Sequence, residues 1–145
     1  LGCYPISFFN LFLNDFKSFE ILKSNYDMCE TNVDIDAKIH LKLNGEIDAI
    51  GKVSLSQNLD NKCIIHCENA TITIPSPWLP SEKTFLEIKT KNRYFKEFIS
   101  TDKNAYQHQL EKVSSSFTDE SVNFSHLVDI EESLEISRIL DAWRN

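Results

Sequence analysis

A chain of 145 residues with 41% hydrophobic and 26% charged content can bury a real core. Its formal charge of −7 and its scattered lysines exclude a general phosphate-binding surface for nucleic acid. Only Gly2, Gly45 and Gly51 occur, which excludes a Gly-x-Gly-x-x-Gly or Walker-type loop, and no apolar run approaches the roughly 20 residues of a membrane span.

Pro5 suits the first turn of a helix, where its missing N–H and fixed φ cost nothing. Ile6, Phe9, Phe12 and Leu13 follow at helical spacing, with Phe8 and Leu11 on the flanks. Ser7, Asn10 and Asn14 leave only a narrow polar stripe, so the helix is expected to be mostly buried. Tyr4 then stands at the helix mouth, where the positive end of the dipole favours an anionic oxygen. A phenol held there can give or take a proton in carbonyl chemistry. A tyrosine packed at a helix start with its hydroxyl bonded locally fits the same residues.

Lys17 to Tyr26 reads as a strand around Phe19, Ile21 and Leu22, and Asp27 to Val33 as a polar connection. Ile39, Leu41 and Leu43 alternate with Lys38, His40 and Lys42, the pattern of a half-buried strand with His40 facing out. Asn44-Gly45 is the favoured type I′ hairpin turn, after which Ile47, Ala49, Gly51, Val53 and Leu55 resume the alternation. Cys63, Ile65 and Cys67 share a face of the next strand, with Ile64 and His66 on the other. Glu68-Asn69 turns into the strand Ala70–Ile74, ended by Pro75, Pro77 and Pro80, which can join no central strand. Phe85 to Lys89 and Tyr94 to Ile99 form a further hairpin around Lys91-Asn92.

The last third turns helical. Tyr106, Leu110, Val113 and Phe117 make an i, i+4, i+7, i+11 stripe. A final helix starts near Asp129 with Glu132 as its capping-box partner, and Ile136, Ile139, Leu140 and Trp143 form its apolar face. The expected fold is α+β: an open, mostly antiparallel sheet of about six strands with helices packed on one face. The other face is left for solvent or a partner, which points to a homodimer through the sheet.

Cys3, Cys29, Cys63 and Cys67 are expected to be reduced and mostly buried, in a cytoplasmic setting. Cys63 and Cys67 point away from His66, and no second pair of suitable spacing completes a metal site, so none is expected. The glycosylation patterns at Asn69 and Asn123 are too short to count without a secretion signal. His126 precedes the last helix and takes no role.

Four segments in order resemble the C-terminal domain of the glucose–fructose oxidoreductase / inositol dehydrogenase (Gfo/Idh/MocA) family, nearest its dihydrodiol and sugar dehydrogenases. They are Gly2-Cys3-Tyr4-Pro5 with its helix, Glu30-Thr31-Asn32-Val33-Asp34, Ile65 to Trp78, and Ser133 to Arg144. Asn32 replaces the glycine of the family's Thr-Gly-Val-Asp connection, and Cys67 and Ala70 replace two glycines of its strand pair. The resemblance implies that residues 1–145 are one substrate-binding and dimerisation domain. A Rossmann domain that holds NAD or NADP would lie upstream, as the start at Leu1 suggests, and the isolated chain would be inactive. It implies hydride transfer on a sugar-like or other hydroxyl/carbonyl substrate, with Tyr4 as acid/base. Trp78 resembles an aromatic that lines the substrate pocket, although a loop tryptophan over a sheet edge fits as well. His108 falls in a segment that approaches the substrate in relatives, although a solvated helix histidine fits as well. No cofactor-binding residue and no membrane partner are expected in this chain. The rival reading is a free-standing α+β interaction module without catalysis.

Overall fold

The alternation of Ile39, Leu41 and Leu43 forms the centre of the fold, because a strand turns every second side chain to one face. The computed structural model describes residues 1–11, 18–118 and 128–144. The element order is α1 (Cys3–Asn10), β1 (Phe19–Met28), β2 (Asp34–Leu43), β3 (Ile47–Ser54), β4 (Lys62–His66), β5 (Ala70–Pro75), β6 (Lys83–Thr90), β7 (Tyr94–Ser100), α2 (Ala105–Thr118) and α3 (Ile130–Trp143). Phe12, Leu13, Asn14, Lys17, Asn123 and His126, named above, lie outside the described residues.

This is the expected open antiparallel α+β architecture, with its strands divided between a three-stranded sheet, β1-β2-β3, and a four-stranded sheet, β4-β5-β6-β7. The break has a local cause. Ser54 Oγ accepts the N–H groups of Ser56 at 3.1 Å and Gln57 at 2.7 Å, which turns the chain out of β3. Leu55, expected to continue the alternation, is exposed there. The chain forms two compact units, Leu1–Leu59 with Leu127–Asn145, and Asp60–His126.

In the first unit, Ile6, Ala37, Ile39, Leu41, Leu43, Ala49, Ile139 and Trp143 are buried together, with Phe9, Ile136 and Leu140 packed against them. The β2–β3 turn has positive φ at both Asn44 (49°) and Gly45 (74°), and the Glu46 N–H donates to the Leu43 carbonyl at 3.0 Å. Helix α3 begins with the expected capping box. Asp129 Oδ1 accepts the Glu132 N–H at 2.8 Å, and Glu132 Oε2 accepts the Asp129 N–H at 3.2 Å. Helix α1 is buried on one stripe only. Pro5 and Ile6 are covered while Cys3, Tyr4 and Leu11 are exposed, because a helix laid on a sheet turns a single stripe inward.

No described residue of the second unit is fully buried. The cross-strand row Ile65, Ile72, Ile88, Phe95 and the neighbours Cys63, Ile74, Leu86 and Ile99 form a largely apolar face, interrupted by Glu97 opposite Leu86. Pro75 is the last residue of β5, paired with Lys62 of edge strand β4 and beyond the ladder to β6, so its missing N–H breaks no central pairing. Helix α2 has the predicted stripe, yet Tyr106, Leu110, Val113 and Phe117 are exposed, Phe117 at 84%.

The cysteines are free thiols but not mostly buried: Cys3 and Cys67 are exposed and Cys29 and Cys63 half-buried. Cys3 lies on the outer side of α1, and Cys67 lies in the turn just past β4. No described helix is long and apolar enough to cross a membrane.

Candidate functional site

Gly2 is the N-cap of α1, and Cys3, Tyr4 and Pro5 make its first turn. There Pro5 removes an N–H that has no partner within the helix. Tyr4 is 53% exposed, with its N–H donating to the Leu1 carbonyl at 3.2 Å. Two glycines flank this turn in space. A Cβ on Gly2 would stand 3.0 Å from both Leu140 Cδ2 and Trp143 Cζ3, and one on Gly51 would stand 3.2 Å from Pro5 Cβ. At the far end of α1, Asn10 Nδ2 donates to Glu132 Oε1. A shallow depression beside the helix start is lined by Leu1, Gly2, Asp34, Ala37, Val53 and Leu55, among others.

Trp78 and His108 belong to the second unit and Tyr4 to the first, and each is placed within its own unit. Trp78 is half-buried on the turn that follows Pro75-Ser76-Pro77. Ser76 holds a left-handed φ of 51° there, and its N–H donates to the Asn61 carbonyl at 2.8 Å. His108 is exposed in the first turn of α2, its Nε2 2.9 Å from Thr101 Oγ1. Asn104 and Gln107 cap that helix reciprocally, at 2.9 and 3.0 Å.

The polar face of the second sheet carries a cluster that the sequence reading missed. Lys96 Nζ is 3.1 Å from Glu87 Oε1 and 3.9 Å above the Phe85 ring, whose centroid is 6.0 Å from that of Phe98. Lys96, and then Tyr94, hold the Glu87 carboxyl below its usual range, while Glu87 pushes the Tyr94 phenol up. The signal was present: a turn centred on Lys91-Asn92 places Glu87 opposite Lys96 and Phe85 opposite Phe98.

The three positions where the resembling family has glycine divide in two. Asn32 takes a left-handed φ of 58° in the turn closed by Asn32 N–H to Cys29 carbonyl at 3.0 Å. Cys67 and Ala70 are not among the residues of positive φ, and the Cys67 N–H donates to the Ala70 carbonyl at 2.8 Å. Their β-carbons therefore introduce no left-handed strain.

No protein-family model matches this chain, and no curated protein does. Among solved structures, it is similar to KijD10, a 3-ketoreductase from Actinomadura kijaniata in complex with TDP-benzene and NADP in an open conformation. The TM-score is 0.84 at 14% identity, over 100% of this chain and 45% of that one. A lysine-to-alanine mutant of the same enzyme, also with TDP-benzene and NADP, gives a TM-score of 0.76 at 15% identity over 99% of this chain. The chain spans 45% of the length of the solved chains it matches, and the likeness establishes a shared fold.

Proposed function

We propose that this chain is the C-terminal, substrate-side domain of an NAD(P)-dependent oxidoreductase of the Gfo/Idh/MocA type, acting on a sugar-like or other hydroxyl/carbonyl substrate. The observation that carries the reading is the likeness of the entire chain to 45% of a 3-ketoreductase at a TM-score of 0.84. The Gly2-Cys3-Tyr4-Pro5 turn and the glycine-like backbone at Asn32 support it.

This chain has no glycine-rich turn to cradle the pyrophosphate of a dinucleotide. Its glycines stand at the N-cap of α1, in the β2–β3 turn and within β3, and none follows a strand into a helix. NAD or NADP is therefore assigned to a segment outside this chain, which alone would not turn over. The role left to this chain is the proton. Tyr4 Oη donates to the substrate oxygen during reduction and accepts from it during oxidation. Trp78 supplies an apolar wall and His108 a hydrogen-bonding edge to the substrate. The setting is cytoplasmic, and the apolar face of the four-stranded sheet pairs two copies.

The test is Tyr4→Phe in the protein as its source organism makes it, assayed for NAD(P)-linked turnover of a panel of sugars and diols. Loss of the proton relay should lower kcat by about 10²–10⁴-fold. Full turnover by Tyr4→Phe overturns the acid/base role. A native protein that turns over nothing in the panel and binds neither NAD nor NADP overturns the dehydrogenase reading in favour of the interaction module.

A further inference from the structure

We infer that Gly2 and Gly51 are positioning residues for Tyr4: their missing side chains seat α1 against α3 and β3, and so set the direction in which the phenol leaves the helix. The inference rests on the proton-transfer role proposed above. Gly2 and Pro5 are three residues apart and share one helix face, while Tyr4 points away from it. The face is gripped from two sides. Gly2 meets Leu140 and Trp143 of α3, and Pro5 meets Gly51 of β3.

Leu140 Cδ2 ends a flexible side chain and can swing aside, but the Trp143 ring beside it and the packing around Gly51 cannot yield cheaply. Trp143 is 4% exposed, and its ring is tied at the other end by Nε1 donating to the Lys38 carbonyl at 3.2 Å. A Cβ on Gly51 would also stand 3.4 Å from Cγ2 of the fully buried Ile39. A methyl added at either glycine is therefore relieved chiefly by a shift of α1, and Tyr4 lies between the two contact points. A shift of about 1 Å can cost about 10²-fold in rate, so a few tenths of an ångström should cost roughly three- to tenfold.

The experiment places 3-fluorotyrosine at position 4 of the full-length native protein and follows its fluorine resonance in Gly2→Ala and Gly51→Ala. Asn44→Ala, which strains the left-handed position of the β2–β3 turn at the opposite end of β2 from Asp34 and the depression at the helix start, controls for lost stability alone. Both glycine variants should move the resonance while the control does not. Both should also lower kcat three- to tenfold, with KM unchanged, on the best substrate of the sugar and diol panel. Leu140→Val adds no atom and loosens the Gly2 contact from the opposite side, so it should broaden the resonance even if an alanine variant fails to fold. A resonance that stays at its native position and width in every variant that folds overturns the inference. A resonance that moves in a protein whose Tyr4→Phe form keeps full turnover overturns the proton-transfer reading, and the seating of α1 is then purely structural.

Discussion

Asn32 takes a φ of 58°, a conformation that costs an ordinary L-residue about 1–2 kcal/mol and that asparagine tolerates better than most. Its N–H closes the turn on the Cys29 carbonyl, and the Val33 carbonyl accepts the Cys29 N–H at 2.9 Å, so the conformation is enforced by the strand pairing around it. Asn32→Ala should therefore destabilise the chain by about 1 kcal/mol. Asn32→Gly should stay within about 0.5 kcal/mol of the parent, with relief of strain offset by a freer unfolded chain. Urea unfolding of the three proteins measures this, and an alanine variant as stable as the parent would show that the turn relaxes. At this scale the sequence was informative about residue type and weak about exposure. Tyr4 falls in the first turn of a helix as Pro5 indicates, but Phe8 and Leu11 read as buried when only the Pro5–Ile6 stripe is. Residue spacing reports which residues share a stripe, not how wide a stripe the neighbours cover.

Among the elements, those whose signals were redundant were legible. The β2–β3 hairpin combined strict alternation with Asn44-Gly45, and α3 combined a capping box with an apolar face, so local and tertiary preferences agree in both. Two features were not legible. The end of β3 depends on the hydroxyl of Ser54, which competes with the ladder for backbone N–H groups. The cover of α2 depends on something other than its own stripe, whose spacing is correct and whose residues are exposed. The hairpin also carries a pH signature. On its outer face Asp48 Oδ2 accepts from Lys42 Nζ at 2.8 Å and Oδ1 lies 2.8 Å from His40 Nε2, with Lys42 opposite Asp48 across the pair. Lys42 first, and His40 second, hold the Asp48 carboxyl below its ordinary range. The folded chain thus binds that proton less readily than the unfolded chain, where the value is about 3.9. The stabilisation is complete above that value and is lost as the pH falls through the lower folded one. Asp48→Asn should be less stable than the parent at pH 7, and the gap should close in acid, from about pH 4 downward. Thermal unfolding between pH 7 and pH 2 reads it out, and a gap that stays constant with pH would remove the carboxylate as its cause. The exposure of the pair keeps the effect small.

At the scale of the molecule, every fully buried residue belongs to the first unit, whereas the second holds an apolar sheet face and no buried residue among those described. Four strands about 4.8 Å apart and five to eight residues long present roughly 400 Å², comparable to the largest apolar patch on a typical monomer. Hydrophobic burial scales with the area removed from water, so a second copy laid face to face gains most where Ile65, Ile72, Ile88 and Phe95 run in one cross-strand row. The opposite face exposes Ile64 and Phe98 as well, but Glu87, Lys89 and Lys96 stand among them, and the cost of desolvating those charges offsets the gain. The resulting prediction is directional. A lysine at Ile88 or Phe95 should convert a dimer of the native protein to monomer, while a lysine at Ile64, on the polar face, should leave it intact. Because about 400 Å² from each copy is small for a specific interface, sedimentation must be followed across a concentration series, with the native dimer dissociating at the dilute end. A native protein monomeric throughout the series, or a dimer indifferent to Ile88→Lys and Phe95→Lys, would assign the apolar face to some other cover.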